Sequence, residues 1–566
     1  MKLRRPLLGL IVLAIFIVAA WLWWALPRRV DMADYAPADA LVYVEFNNPE
    51  SVVEAIRQTD VWKATAQITH RETRSRNRFI MAAARAGVGP LRAVLFARTQ
   101  IALVVVGLNT SEEQDTLKVR PDVALIAETH TSKWRTKPAA VEAVKTLANF
   151  AYGASMCTER TADADYIECS IAGGERKIVG AVDGTLVVIG NSDNAVRSCL
   201  DAHHGVRPNM RSDTELLKVR STLASDKTLG FGYISPANSA KLFSWAAPLL
   251  MGQAPNDQQL QQLLAMSAGK ILRGVAWTAS SSQGGIEDRF LFSLEPGVVA
   301  RLQPAFETAE QDENFWKLVP QTFQSLTIYR SKTPAAAWGS LGSAVSLKLD
   351  ALPAVLFGEL LKSSLSVYGI TNPKEVLTAL SPPLLTLRPS NSAEGSILVA
   401  RVSDEARLRR SLSDEVFKDG KGEILTGLDA NLSPDKEFTA VFADGYVLLG
   451  KTENMRISLA ALRTNEAAEA DKRNALKDAA QESSAAIVTY ANDEARLNNF
   501  IATLLKLQGK SLSSAEAENL QNTLRRSGFA ATETKLNSFG IERTTHSAFG
   551  QFGTFVSLLQ PDITSR

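Results

Sequence analysis

Apolar positions along this chain group into short continuous runs that end on Asn, Ser or Thr followed by Pro. Stretches with apolar residues three and four apart come next. The first pattern predicts strands, and the second predicts helices that bury one face. Leu41-Val42-Tyr43-Val44-Glu45-Phe46 reads as a strand. Asn48-Pro49 then supplies an N-cap and an N1 proline, with Val52, Val53 and Ile56 on the helix that follows. The same unit recurs at Leu326-Thr327-Ile328-Tyr329 before Thr333-Pro334, and at Leu229-Gly230-Phe231-Gly232-Tyr233-Ile234 before Ser235-Pro236. The helix after this third copy carries Leu242, Phe243, Trp245 and Ala246. A fourth copy is Ala486-Ile487-Val488-Thr489-Tyr490, capped by Asn492 or Asp493, with Leu497, Phe500, Ile501, Leu504 and Leu505 on one helical face.

Other pieces recur in the same order. Ala181 to Gly190 reads as a hairpin around Asp183-Gly184, and Phe442 to Gly450 as a hairpin around Asp444-Gly445; each precedes a helix. Asp-Gly supplies the positive φ angles of a type I′ turn. Val123 to Glu128 matches Ile397 to Val402, and closing strands at Phe290 to Pro296 are set against Phe555 to Pro561. Element order repeated at this spacing predicts an internal duplication, with halves at about 37–296 and 320–566 joined by a charged helical connector at 297–319. A shorter echo, Asp404-Glu405-Ala406-Arg407-Leu408 against Asp493-Glu494-Ala495-Arg496-Leu497, hints at a deeper repeat. The fold class expected is α+β: largely antiparallel sheets, each covered on one face by helices, preceded by one transmembrane helix.

That helix is read from Leu7 to Leu26, a 20-residue run without a charge and long enough to cross a hydrocarbon core of about 30 Å. Lys2, Arg4 and Arg5 precede it and keep the N-terminus cytoplasmic, while Trp21, Trp23 and Trp24 suit the far headgroup interface. The competing reading is a cleaved signal peptide ending near Val18-Ala19-Ala20. Either way the rest of the chain is exported. Residues 1–30 form the cytoplasmic tip and signal anchor, and 31–36 a short tether.

Charge matters once it is divided. Of 62 basic and 60 acidic residues, five basic and no acidic ones lie in the first 30; the remaining 536 residues hold 57 basic against 60 acidic. That balance argues against a nucleic-acid partner. A cluster of Arg71, Arg74, Arg76 and Arg78 beside His70 reads as a solvated helix face, with an anionic lipid or polymer contact as the sharper alternative. Cys157 and Cys169 flank a turn between two short strands, so a disulfide closing that hairpin is a candidate. It leaves Cys199 as a buried thiol on a helix with Val196 and Leu200.

Catalytic motifs are missing. None of the five histidines belongs to a His-x-x-x-His pair, and Cys199 with His203 lacks further ligands in sequence, so no metal and no cofactor is read. Gly339-Ser340-Leu341-Gly342 only approaches a nucleophile elbow and lies in a helical pattern. Gly509-Lys510-Ser511 has the end of a phosphate loop without its first glycine, and Lys418 to Gly422 reads as a plain loop.

The stretch Tyr35-Ala36-Pro37-Ala38-Asp39-Ala40-Leu41-Val42-Tyr43-Val44 after an anchor resembles the opening of uncharacterised bacterial envelope proteins described only as domains of unknown function. The resemblance implies a bacterial inner-membrane location with a periplasmic body and brings no catalytic residues. The function expected is a non-enzymatic binding or scaffold component with a protein partner in the envelope. The alternatives are a carrier or sensor of a lipid or apolar ligand, in a groove lined by Tyr43, Tyr233, Tyr329 and Tyr490, and a divergent periplasmic hydrolase.

Overall fold

The computed structural model describes residues 29–558 except 47, 69–98, 114–115, 132, 154–155, 172–175, 226, 237, 239–269, 311, 321–322, 391–394, 414–416, 418–419, 464–466, 508–512 and 527–528. Leu7, Leu26, Trp21, Trp23 and Trp24 of the expected anchor lie outside the described residues, as do His70, the arginines of 71–78 and the apolar run at 242–246. Among the described residues no helix is long and apolar enough to cross a membrane. The chain is α+β with mostly antiparallel strands, and it divides into two compact units. One holds 1–51 and 75–214, the other 52–74 and 215–566.

In the first unit seven strands pair in the order β1 (Val42–Phe46), β2 (Gln100–Glu113), β3 (Thr116–Glu128), β7 (Leu186–Gly190), β6 (Lys177–Asp183), β5 (Asp165–Ser170) and β4 (Met156–Thr161), every pair antiparallel. β7 is buried along its whole length. Its Val187 and Ile189 join Ala140, Val144 and Ala148 of the helix Lys133–Tyr152 in one core. Gly190, of the opposite parity, meets Ala195 and Val196 of the helix Asp193–His203. Successive strand residues point to opposite faces, so helices cover both faces here, and the expectation of one covered face is corrected. Gly180 in β6 is required by this packing, because a Cβ there would sit 2.5 Å from Val144 Cγ2.

Residues 31–36, expected as a tether, instead fold into this unit. Met32–Tyr35 is a 3-10 turn capped by the Asp31 side chain, and Met32, Ala33 and Ala36 are fully buried. The Pro-Ala-Asp stretch lies along 207–210: the Ala38 N–H donates to Pro208 O, the Met210 N–H donates to Ala36 O, and Asp39 pairs with Arg207. Small residues allow this close apposition, and a free tether would leave Met32 in water.

The second unit pairs its strands in the order β8 (Thr228–Ile234), β9 (Leu272–Ser282), β10 (Gly285–Leu294), β19 (Gly540–Ser547), β18 (Phe529–Asn537), β17 (Ile487–Asn492), β11 (Ser325–Tyr329), β12 (Leu380–Arg388), β13 (Ile397–Val402), β16 (Tyr446–Lys451), β15 (Phe438–Ala443) and β14 (Gly422–Thr426). Among the described strands only β14 and β15 are parallel. β16 repeats the two-sided burial of β7. Tyr446 and Leu448 pack with Met455 and Leu459 of the helix Thr452–Arg463, while Val447 and Leu449 pack with Leu408 and Leu412 of the helix Glu405–Ser413. Leu497, Phe500 and Ile501 form a core with Val61, Leu520, Leu524 and Phe549, as their helical spacing predicts.

One strand match fails. Phe555 to Leu558 ends the helix Gly550–Leu558, and the strand that resembles β10 is β19, where Gly540-Ile541-Glu542 echoes Gly285-Ile286-Glu287. Apolar content alone cannot separate a short buried strand from a short buried helix. Residues 297–319 contain most of the helix Pro296–Phe306 and the 3-10 turn Asn314–Leu318, whose Phe315, Trp316 and Leu318 are buried in a core with Leu326 and Tyr490.

Candidate functional site

Polar side chains converge in the first unit where β2 starts and where β3, β6 and the helix Asp193–His203 end. Glu128 closes β3 and is 4% exposed. One of its oxygens accepts from the Tyr35 hydroxyl at 3.2 Å, the other from the His130 N–H at 3.0 Å. Burial, followed by the Glu128 charge, raises the Tyr35 pKa well above the ordinary phenol range. His130 itself adopts a left-handed backbone, φ 50°, which turns the chain out of β3.

Gln100, at the start of β2, grips Val30 by both backbone groups: Val30 N–H donates to Oε1 and the amide nitrogen donates to Val30 O, each at 2.9 Å. That pair of bonds fixes the orientation of the Gln100 amide. His130 Nε2 lies 2.9 Å from the same Oε1 and must therefore carry the proton. Val30, the second of the described residues, is thus fixed at this corner.

Beside this network stands a second one. His203 ends its helix and His204 is the C-cap, with Gly205 at φ 71° stopping the helix. Asp183 ends β6. His204 Nε2 lies 2.8 Å from Asp183 Oδ2 and His203 Nε2 lies 3.8 Å from the same oxygen. The Tyr35 ring rests on His203 with centroids 5.0 Å apart. Thr129 holds the β6–β7 turn in place by donating from its N–H and its hydroxyl to Thr185 O.

Asp183 reaches the histidines because of the turn's register. Asp183 pairs with Leu186, so the turn is Gly184-Thr185 and only Gly184 has positive φ. In the other hairpin Ala443 pairs with Tyr446, and Asp444 and Gly445 both have positive φ, the type I′ geometry expected. The Asp-Gly reading is thus right for 444–445 and shifted by one residue for 183–184. The shift leaves Asp183 in the ladder.

Cys157 and Cys169 face each other across β4 and β5 and form a disulfide. Cys199 is fully buried, and burial pushes its thiol up to about 12, which keeps it unreactive at neutral pH. Ser340 is buried inside the helix Pro334–Ser346 and donates to Ala337 O, so it is held as a helix side chain rather than as a nucleophile. Tyr43, Tyr233 and Tyr490 are buried in the core, while Tyr329 is 36% exposed. A small cleft of about 10 Å³ in the second unit is lined by Glu310, Phe315, Arg330, Pro382 and Pro383 among others, and none of these tyrosines lines it. No protein family, curated protein or solved structure matches the chain.

The sequence reading named the disulfide cysteines but not the Asp183–His203–His204 grouping. His-x-x-x-His spacing looks for side chains on one helix, whereas this grouping joins adjacent residues at a helix end to a strand residue twenty positions earlier. The legible signal was the His-His pair itself.

Proposed function

We propose that this chain is a single-pass, membrane-anchored binding or scaffold component of the bacterial envelope. The 7–26 segment spans the inner membrane, the N-terminus is cytoplasmic, and the body is periplasmic and built from a duplicated module. The observation that carries the reading is the Cys157–Cys169 disulfide in a hairpin near the surface, since such bonds persist in oxidising compartments outside the cytoplasm. The seating of Val30 on Gln100 supports a body held close to the bilayer.

Duplication is supported by strand order. β1-β2-β3-β7-β6 runs parallel to β11-β12-β13-β16-β15, with two helices flanking the fourth strand in each set. The hairpins β9–β10 and β18–β19 have the same register once 255 is added to each residue number. β10 and β19 then pair around Arg289 opposite Thr544, which are equivalent under that shift, so the two hairpins meet about a local two-fold axis. Burial of Tyr43, Tyr233 and Tyr490 favours a surface-binding role over carriage of an apolar ligand.

Native co-purification of the full chain in mild detergent, with bound proteins and lipids identified by mass spectrometry, tests the proposal. A stoichiometric protein partner is the expected result. A specific lipid without protein would move the chain to the carrier class, and hydrolytic activity of the purified chain without either would move it to the enzymes.

A further inference from the structure

Asp183, His203 and His204 offer one carboxylate oxygen and two imidazole nitrogens that all lie within 4.8 Å of one another. A tetrahedral ion with bonds of about 2.0–2.2 Å spaces its ligands about 3.3–3.5 Å apart. The observed separations from Asp183 Oδ2, 2.8 Å to His204 and 3.8 Å to His203, bracket that value, and the two imidazole nitrogens lie within 4.8 Å of each other.

We propose that Asp183, His203 and His204 form a binding site for a divalent transition-metal ion of the zinc class. Two imidazoles and a carboxylate make a borderline donor set that suits zinc, cobalt or nickel and disfavours calcium and magnesium, which take oxygen ligands. Three protein donors leave a fourth tetrahedral position for water.

The surroundings favour a cation. Both histidines stand at a helix C-terminus, the negative end of the helix dipole. His203 is braced by the Tyr35 ring and Asp183 by its place in the β6–β7 ladder, so the donors are supplied by fixed elements rather than loops. Each of the three side chains is about one-third exposed, which gives an ion a path from solvent. A bound ion would cross-link the β6–β7 turn to the helix end and stabilise the first unit.

The test uses the untagged full-length chain in detergent, stripped with a chelator and titrated with Co²⁺ followed by visible absorption, then with Zn²⁺ as competitor. One tetrahedral Co²⁺ per chain, displaced by Zn²⁺, is expected, with a rise in melting temperature on Zn²⁺ addition. His204→Gln keeps a hydrogen-bonding group beside Asp183 but removes the imidazole donor, so the fold is retained while affinity falls at least about tenfold. Asp183→Asn has a similar effect, and His546→Ala leaves binding unchanged. Absence of saturable Co²⁺ and Zn²⁺ binding overturns the proposal. So does undiminished binding by a folded H203A/H204Q/D183N triple variant, since the ion is then held elsewhere.

Discussion

Asp288 in β10 shows how one buried carboxyl ties stability to pH. It is 1% exposed, accepts from the Trp277 indole N–H at 2.8 Å, and accepts from the Gln551 N–H at 3.0 Å, at the start of the helix Gly550–Leu558. Burial raises its pKa to about 6 and outweighs those two donors and the more distant Arg496 charge. An unfolded aspartate titrates near 3.9. With the folded value raised, the stabilisation tied to the protonated form is fully present below the unfolded value and is lost as pH rises through about 6. Tenfold in proton affinity is worth about 1.4 kcal/mol, so the loss between pH 4 and 7 amounts to about 2 kcal/mol. Denaturant unfolding of wild type and Asp288→Asn at several pH values isolates this group. Wild type should gain on the variant by about that amount on acidification. A difference that stays constant with pH would contradict the assignment. Nothing in the residue type announced this role: Asp288 sits between polar neighbours in an alternating strand, and only the β9–β10 register brings Trp277 to it.

Among the elements, the helix Lys133–Tyr152 and β6 approach so closely that Gly180 has no room for a side chain. Gly180→Ala should cost about 1–3 kcal/mol by overpacking against Val144. In a Val144→Ala background the same change should cost little, a coupling visible in a double-mutant cycle of thermal or denaturant unfolding. Equal cost in both backgrounds would remove Val144 as the obstacle. Much at this scale was legible in the chain. Asn48 and Asn492 each accept from the backbone N–H two residues on, at the helix starts where the sequence placed caps. The hairpins at 183–186 and 443–446 form where Asp-Gly marked them. Two-sided burial of β7 and β16 was written in their unbroken apolar runs, yet hairpin connections suggested a sheet with one wet face. What stayed hidden depends on register: the one-residue offset of Asp183 in its turn, and the helix at 550–558, where short apolar runs carry no distinguishing period. The candidate metal ligands were hidden for the same reason, being neighbours only through the ladder.

At the scale of the whole molecule, the division into compact units does not follow the two sequence halves. β8, β9 and β10 belong with the second unit because β10 pairs with β19 over eight residue pairs, a stronger bond than any boundary drawn at 297–319. Under the proposed duplication this is the expected consequence of a local two-fold axis: the last hairpin of each half finds its edge partner in the other, and neither edge is left open. The account as a whole rests on the body lying outside the cytoplasm. Cys157 and Cys169 are paired and Cys199 is buried, so the native thiols give little background to a labelling reagent. Ser221, exposed on the helix Thr214–Leu223, is a site for a reporter. The full-length Ser221→Cys chain should react with a membrane-impermeant maleimide on intact spheroplasts. Labelling only after the inner membrane is lysed would contradict the account.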